Sequence, residues 1–251
     1  MIGLGGSLNQ INSGELTTEE GSVIIANSPT LWLKRNTDIT VAVGTNDVIA
    51  WEDQSTNNNF ARQSTSGRFP QYVNGGVEFN VAGDADQRLD LATNIDLNEF
   101  TIIAVLDIAT VASMGLLGGT ATTENLRIHQ GDDVDRVVLR ITEDTPDEDA
   151  DMTNLTQDIP TDKFVFTFQR GTGSTDNVLC RINGTDVTDT TSTRNDSDAS
   201  KVFTVADIGS AAGNFLNFQG VIFELAIFST QLNDTKMDQI EDDMKLRCGL
   251  L

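Results

Sequence analysis

Between Thr30 and Ser229 the chain repeats one device: a short run of strand-forming residues, closed each time by Gly, Asn or Thr. The runs are TLWLKR (30–35), DVIAWED (47–53), GVEFNV (76–81), RLDLA (88–92), FTIIAVLDI (100–108) and LRIHQ (126–130). They continue with RVVLRIT (136–142), KFVFTFQR (163–170), NVLCRIN (177–183), KVFTVADI (201–208) and GVIFELAIFS (220–229). Turn residues such as NNN (57–59), NGG (74–76) and NGT (183–185) separate them. Many short strands with this punctuation specify an all-β sandwich or barrel. In KFVFTFQR the two-residue period puts Phe164, Phe166 and Phe168 on one face and leaves Val165, Thr167 and Gln169 to a more tolerant one. FTIIAVLDI and GVIFELAIF are apolar on both faces, as central strands are.

Composition agrees. Among the 251 residues are 30 Thr and 20 Asn, and the aromatics are mostly Phe. Thr and Phe favour strands, and Asn favours turns. The net charge of −22 repels nucleic acid and anionic lipid, so neither is an expected partner. No apolar run is long enough for a membrane-spanning helix. The first residues lack the basic and apolar regions of a secretory signal, so synthesis in the cytoplasm is expected.

Cys180 and Cys248 make no zinc spacing and no CxxC, and read as idle or buried thiols, with a disulfide left open. His129 is the sole histidine and no GxSxG elbow exists, so a hydrolase triad is not expected.

One helix is convincing. QLNDTKMDQIEDDMKLR aligns Met237, Ile240 and Met244, offers Asn233 as N-cap, carries Lys245 and Arg247 near its end, and meets Gly249 as a stop. Residues 1–27 read as an extended arm and residues 28–251 as one domain, with the acidic stretch 143–152 as a loop inside it.

Several motifs resemble a known family. SPTLWLKRNTDI, VIAWEDQSTNNNFARQ and FPQY are similar to the opening of concanavalin A-like, laminin-G-like domains. There an LWL strand precedes a W-x-D-x-S-x-N-x-N turn, matched here by Trp51, Asp53, Ser55, Asn57 and Asn59, with Pro70 following. GVEFNVAGDADQRLDL, FTIIAVLDI and GNFLNFQGVIFELAIFSTQLNDTKMDQIEDDMKLRCGL resemble later strands and the closing helix. The resemblance covers roughly residues 28–250 and implies an all-β fold: a two-sheet antiparallel jelly-roll sandwich with one short C-terminal helix. Asp53 is expected to bond backbone N–H groups of its turn. Trp32 and Trp51 read as structural, with sugar stacking as the alternative.

This fold hosts glucanases, lectins and structural modules. A retaining glucanase needs two carboxylates about 5–5.5 Å apart. No strand here carries the pair; Glu224 stands alone in GVIFELAIF, so no catalytic residue and no enzyme activity are expected. No cofactor is expected except calcium, for which Asp84 and Asp86 are the first candidates and the 143–151 loop the next. Other Asp residues (Asp53, Asp132, Asp133, Asp135) are weaker ones.

The start MIGLGGSL before such a body resembles structural proteins of tailed phages, particularly those of cyanobacterial hosts. The reading placed first is therefore a capsid decoration protein on the virion surface. Its arm residues Ile2, Leu4, Leu8, Ile11 and Leu16 would dock on the major capsid protein or another virion protein, and a homo-oligomer such as a trimer would suit the shell. The second reading is a carbohydrate-binding module of a fibre or cell-surface adhesin, with a glycan as partner. A glycan-cleaving enzyme is third.

Overall fold

A computed structural model describes residues 22–79, 86–108, 113–120, 124–129, 135–141, 150–171, 178–191, 194–195, 202–210 and 217–251. In chain order the elements are α1 (Ser22–Ala26), β1 (Leu31–Leu33), β2 (Ile39–Val41), β3 (Val48–Trp51), β4 (Ala61–Arg62), β5 (Gln71–Val73) and β6 (Gly76–Phe79). Then come β7 (Leu89–Leu97), β8 (Phe100–Ile108), β9 (Met114–Gly119), β10 (Asn125–His129), β11 (Arg136–Arg140) and β12 (Ala150–Asn154). The last are β13 (Phe164–Arg170), β14 (Val178–Ile182), β15 (Thr185–Asp186), β16 (Arg194–Asn195), β17 (Phe203–Ile208), β18 (Gly220–Phe228) and α2 (Asp234–Cys248).

The strands form two antiparallel sheets, as the jelly-roll expectation requires. The smaller runs β15-β14-β13-β8-β18-β6-β5, with β1 also on β18; the larger runs β16-β12-β11-β10-β9-β17-β7-β4-β3-β2. The long apolar strands β8 and β18 pair along most of their length at the centre of the smaller sheet. Asn-Gly dipeptides close two hairpins: Asn74 and Gly75, and Asn183 and Gly184, all take positive φ.

The main core lies between the sheets. Phe164, Phe166 and Phe168 pack there with Ile102, Leu106, Ile128, Leu139 and Phe203. Each such side chain contributes roughly 1.5–3 kcal/mol of burial.

The second face of β13 is not tolerant. Val165 joins Ile103, Val105, Phe223, Met237, Ile240 and Met244 in a second core beneath α2. Thr167 donates to Glu241 at 2.7 Å, and Gln169 donates to the Leu232 carbonyl at 2.8 Å. The mixed composition of this face reflects those two buried hydrogen bonds. α2 is capped as expected: the Asn233 side chain accepts from Lys236 N at 3.0 Å, and Gly249 is left-handed.

Two further sequence readings need correction. Residues 22–27, read as the end of the arm, belong to the body: α1 buries Ile24 completely in the layer under α2. Residues 150–152, read as loop, begin β12, which pairs with β11 from Arg136↔Asn154 to Arg140↔Ala150. Ladder pairing decided that strand against its acidic composition. MGLLGG, which carries no strand signal beyond Met and Leu, is β9. The thiols of Cys180 and Cys248 are free and buried, one in each core, on opposite faces of the smaller sheet.

Candidate functional site

The W-x-D-x-S-x-N-x-N turn is built around Asp53. Its Oδ1 accepts from Trp32 N (2.9 Å) and Ser55 N (2.8 Å), and its Oδ2 from Ser55 Oγ (2.6 Å) and Asn59 N (2.8 Å). Asp53 therefore does serve its turn, and it ties that turn to β1. Asn59 bonds Thr93 through both ends of its amide, to the carbonyl at 2.7 Å and from N–H at 2.8 Å. Asn57 donates to the Pro29 and Thr30 carbonyls. These bonds shape a depression of about 320 Å³, lined by Thr30, Asn58, Asn94, Asp96 and Ser229 among others.

A second feature lies on the β1–β2 loop. Asn36 and Asp38 both take left-handed φ, 53° and 49°. Outside glycine, Asn and Asp are the residues that adopt this backbone most readily. The loop is held from three sides. Asn36 N donates to Gly75 O at 2.8 Å. The Trp51 indole donates to Lys34 O at 3.1 Å. Arg35 reaches Arg247 O (2.6 Å) and Asn74 O (3.2 Å).

Opposite the loop stands Tyr72, whose hydroxyl donates to Asn36 Oδ1 at 2.7 Å. Tyr72, Asn36, Asp38, Ile39 and Val41 line a groove of about 340 Å³. Asn36 also borders a neighbouring hollow of about 300 Å³ with Lys34, Arg35, Thr37 and Arg247. One partly buried aromatic ring, apolar walls, an amide and a carboxylate thus converge beside a cationic annex. Lys34 Nζ lies 5.4 Å from the centre of the Trp32 ring, so Trp32 is a wall behind that annex.

The residues expected from sequence fall elsewhere. Asp86 is bound to Arg68 (2.7 Å) and Arg88 (2.8 Å), so its charge is already balanced by protein; Asp84 lies outside the described residues. Among the described residues no group of three His, Cys, Asp or Glu could hold a metal. Ile2, Leu4, Leu8, Ile11 and Leu16 also lie outside the described residues. Glu224 is fully buried, accepting from the Trp32 indole (2.8 Å) and from Arg247 (2.7 and 3.1 Å). His129 Nε2 lies 2.9 Å from Arg136 Nη2 on β10–β11.

One unforeseen carboxyl is Asp207. It is 5 % exposed and lies in the space a side chain at Gly118 would fill. Its Oδ1 has no hydrogen-bond partner. Burial pushes its pKa up to about 7, only partly offset by the Arg88 charge.

No protein-family model and no curated protein matches the sequence. Solved structures do match in fold. Domain 4 of AbnA, a GH43 extracellular arabinanase from Geobacillus stearothermophilus, in complex with arabinotriose, superposes with a TM-score of 0.57 at 13 % identity; the match covers 85 % of this chain and 98 % of that one. The binding domain of botulinum neurotoxin DC, in complex with rat synaptotagmin II, gives a TM-score of 0.58 at 15 % identity over 88 % of this chain. Trypanosoma rangeli sialidase in complex with sialic acid gives 0.56 at 13 % identity over 88 % of this chain. The chain spans about half of the toxin domain (52 %) and a third of the sialidase (33 %). The shared feature is the jelly-roll β-sandwich.

Proposed function

We propose that the chain is a carbohydrate-binding module that holds a glycan, without cleaving it, in the groove between Asn36, Asp38 and Tyr72. The observation that carries this reading is the Tyr72 ring lining the groove, with its hydroxyl fixed on Asn36 and the Asp38 carboxylate alongside. A pyranose has an apolar C–H face and a rim of hydroxyls. An aromatic ring with apolar walls suits the face, and a carboxylate and an amide suit the rim as acceptor and donor. Sugar complexes of arabinanase domain 4 and of the sialidase support the reading by analogy of fold.

The one carboxylate of GVIFELAIF is already committed. Glu224 is fully buried and bound to Arg247 and Trp32, which argues against the glycosidase alternative. The capsid-decoration reading draws on arm residues outside the described part of the chain, and no feature of the sandwich favours it over a glycan.

The test is binding of the full chain to a panel of immobilised neutral and acidic oligosaccharides. The expectation is saturable binding to a subset, weakened about tenfold (1.4 kcal/mol) in Tyr72→Ala. Absence of binding across the panel, or equal binding by Tyr72→Ala, would overturn the proposal.

A further inference from the structure

Among the described residues Arg127 faces no counter-charge, in a protein of net charge −22. It lies on β10, on the face of the larger sheet turned away from the core, since its neighbours Leu126 and Ile128 are buried between the sheets. Its Nε is buried without a hydrogen-bond partner. Directly opposite on β11 is Val138, and on β9 Gly115; neither can offer an anion. The two diagonal positions on β11 are Arg136 and Arg140. Diagonal neighbours lie about 7–8 Å apart, within reach of long side chains. The Nε of Arg136 is buried as well and makes no hydrogen bond. Both described helices pack on the smaller sheet, leaving this face without a helical cover among the described residues.

Burial and the charges of Arg140 and Arg136 together lower the Arg127 pKa to about 10. A partly buried guanidinium crowded by like charges is unfavourable in isolation. An oxyanion placed between Arg127 and Arg136 relieves the repulsion and satisfies their buried Nε–H donors in one step, in charge-assisted and often bidentate geometry. His129 is suited to position the cluster: with Nε2 unprotonated it accepts from Arg136 Nη2 at 2.9 Å and steers that guanidinium.

We propose that Arg127 and Arg136 form a binding site for an oxyanion of the carboxylate or sulfate kind on the outer face of β10 and β11. The site is separate from the Tyr72 groove and does not depend on it.

Thermal melting of the full chain at constant ionic strength, with chloride exchanged for sulfate, tests the site. Wild type should gain melting temperature in sulfate. Arg127→Gln should melt no lower than wild type in chloride, because it removes repulsion rather than a bond, and should lose the sulfate gain. Arg127→Lys should keep part of it. Calorimetric titration with a sulfated and with a hexuronate oligosaccharide then separates the two sources, and affinity for the better one should fall about tenfold in Arg127→Gln, the scale of a lost charged hydrogen bond. Tyr72→Ala should leave the sulfate gain intact. A lower melting temperature of Arg127→Gln in chloride, or an equal sulfate response in both proteins, would overturn the proposal.

Discussion

Glu224 and Arg247 meet in a double hydrogen bond, Oε1 to Nη2 at 2.7 Å and Oε2 to Nε at 3.1 Å, with the carboxylate wholly buried. The pair joins central strand β18 to the last turn of α2. Arg247 also reaches Asp243 at 2.6 Å, and Glu224 takes the Trp32 indole. Burial disfavours the Arg247 charge, but the hydrogen bond and charge of Glu224 outweigh it and raise the arginine's pKa. Glu224→Gln removes one charge and leaves the buried Arg247 with Asp243 alone as counter-charge, which should cost about 1–3 kcal/mol. Urea denaturation should show that loss, while glycan binding by the fraction still folded stays unchanged.

Asp53 accepts four hydrogen bonds from three residues. Asp53→Ala leaves the Trp32, Ser55 and Asn59 N–H groups without their acceptor and should destabilise the protein by about 3 kcal/mol, on the scale of bonds to charged groups. Asp53→Asn keeps the shape with one acceptor oxygen and should cost less. Chemical denaturation of both variants checks the order.

Asp207 makes stability fall as pH rises. Its folded pKa, about 7, lies above the value of 3.8 for a free carboxyl, so the folded state binds a proton more tightly than the unfolded one. The favourable contribution is complete below about pH 4 and is lost as pH climbs through 7. Its full size is roughly 4 kcal/mol from the pKa difference. Asp207→Asn should flatten the stability profile between pH 4 and 8 and stabilise the protein at pH 8. A profile unchanged by the substitution would contradict the assignment.

Cys180 and Cys248 should resist modification. Burial raises both thiol pKa values, that of Cys248 to about 12, with the Glu224 charge adding to the rise. A thiol reagent at pH 8 should label neither cysteine in the native protein and both in denaturant.

Much of the scaffold was legible because its signals are local. The phenylalanines of β13, the two-sided apolarity of β8 and β18, and the Asn233 and Gly249 caps of α2 each state their role within a few residues. The Asp53 turn was legible for the same reason. β9 and β12 were not, because MGLLGG and ADMTN take their strand form from neighbouring ladders rather than from propensity. The face of β13 carrying Thr167 and Gln169 was misjudged because its partners, Glu241 and Leu232, lie more than sixty positions away. The groove was hidden by the same distance. It needs two left-handed residues in RNTD and a tyrosine 36 positions later, and neither feature has a sequence signature. Asp86 looked like a free ligand because nothing local announces that Arg68 approaches it.

Tyr72 is the sole tyrosine of the chain, so protein made with fluorotyrosine carries one fluorine resonance, and that resonance sits in the proposed glycan groove. Titration with the tightest oligosaccharide from the binding panel should shift or broaden this signal along a curve that gives the same dissociation constant as calorimetry. Asp38→Ala should weaken both in parallel. Binding seen by calorimetry with an unmoved Tyr72 resonance would place the glycan elsewhere and contradict the account.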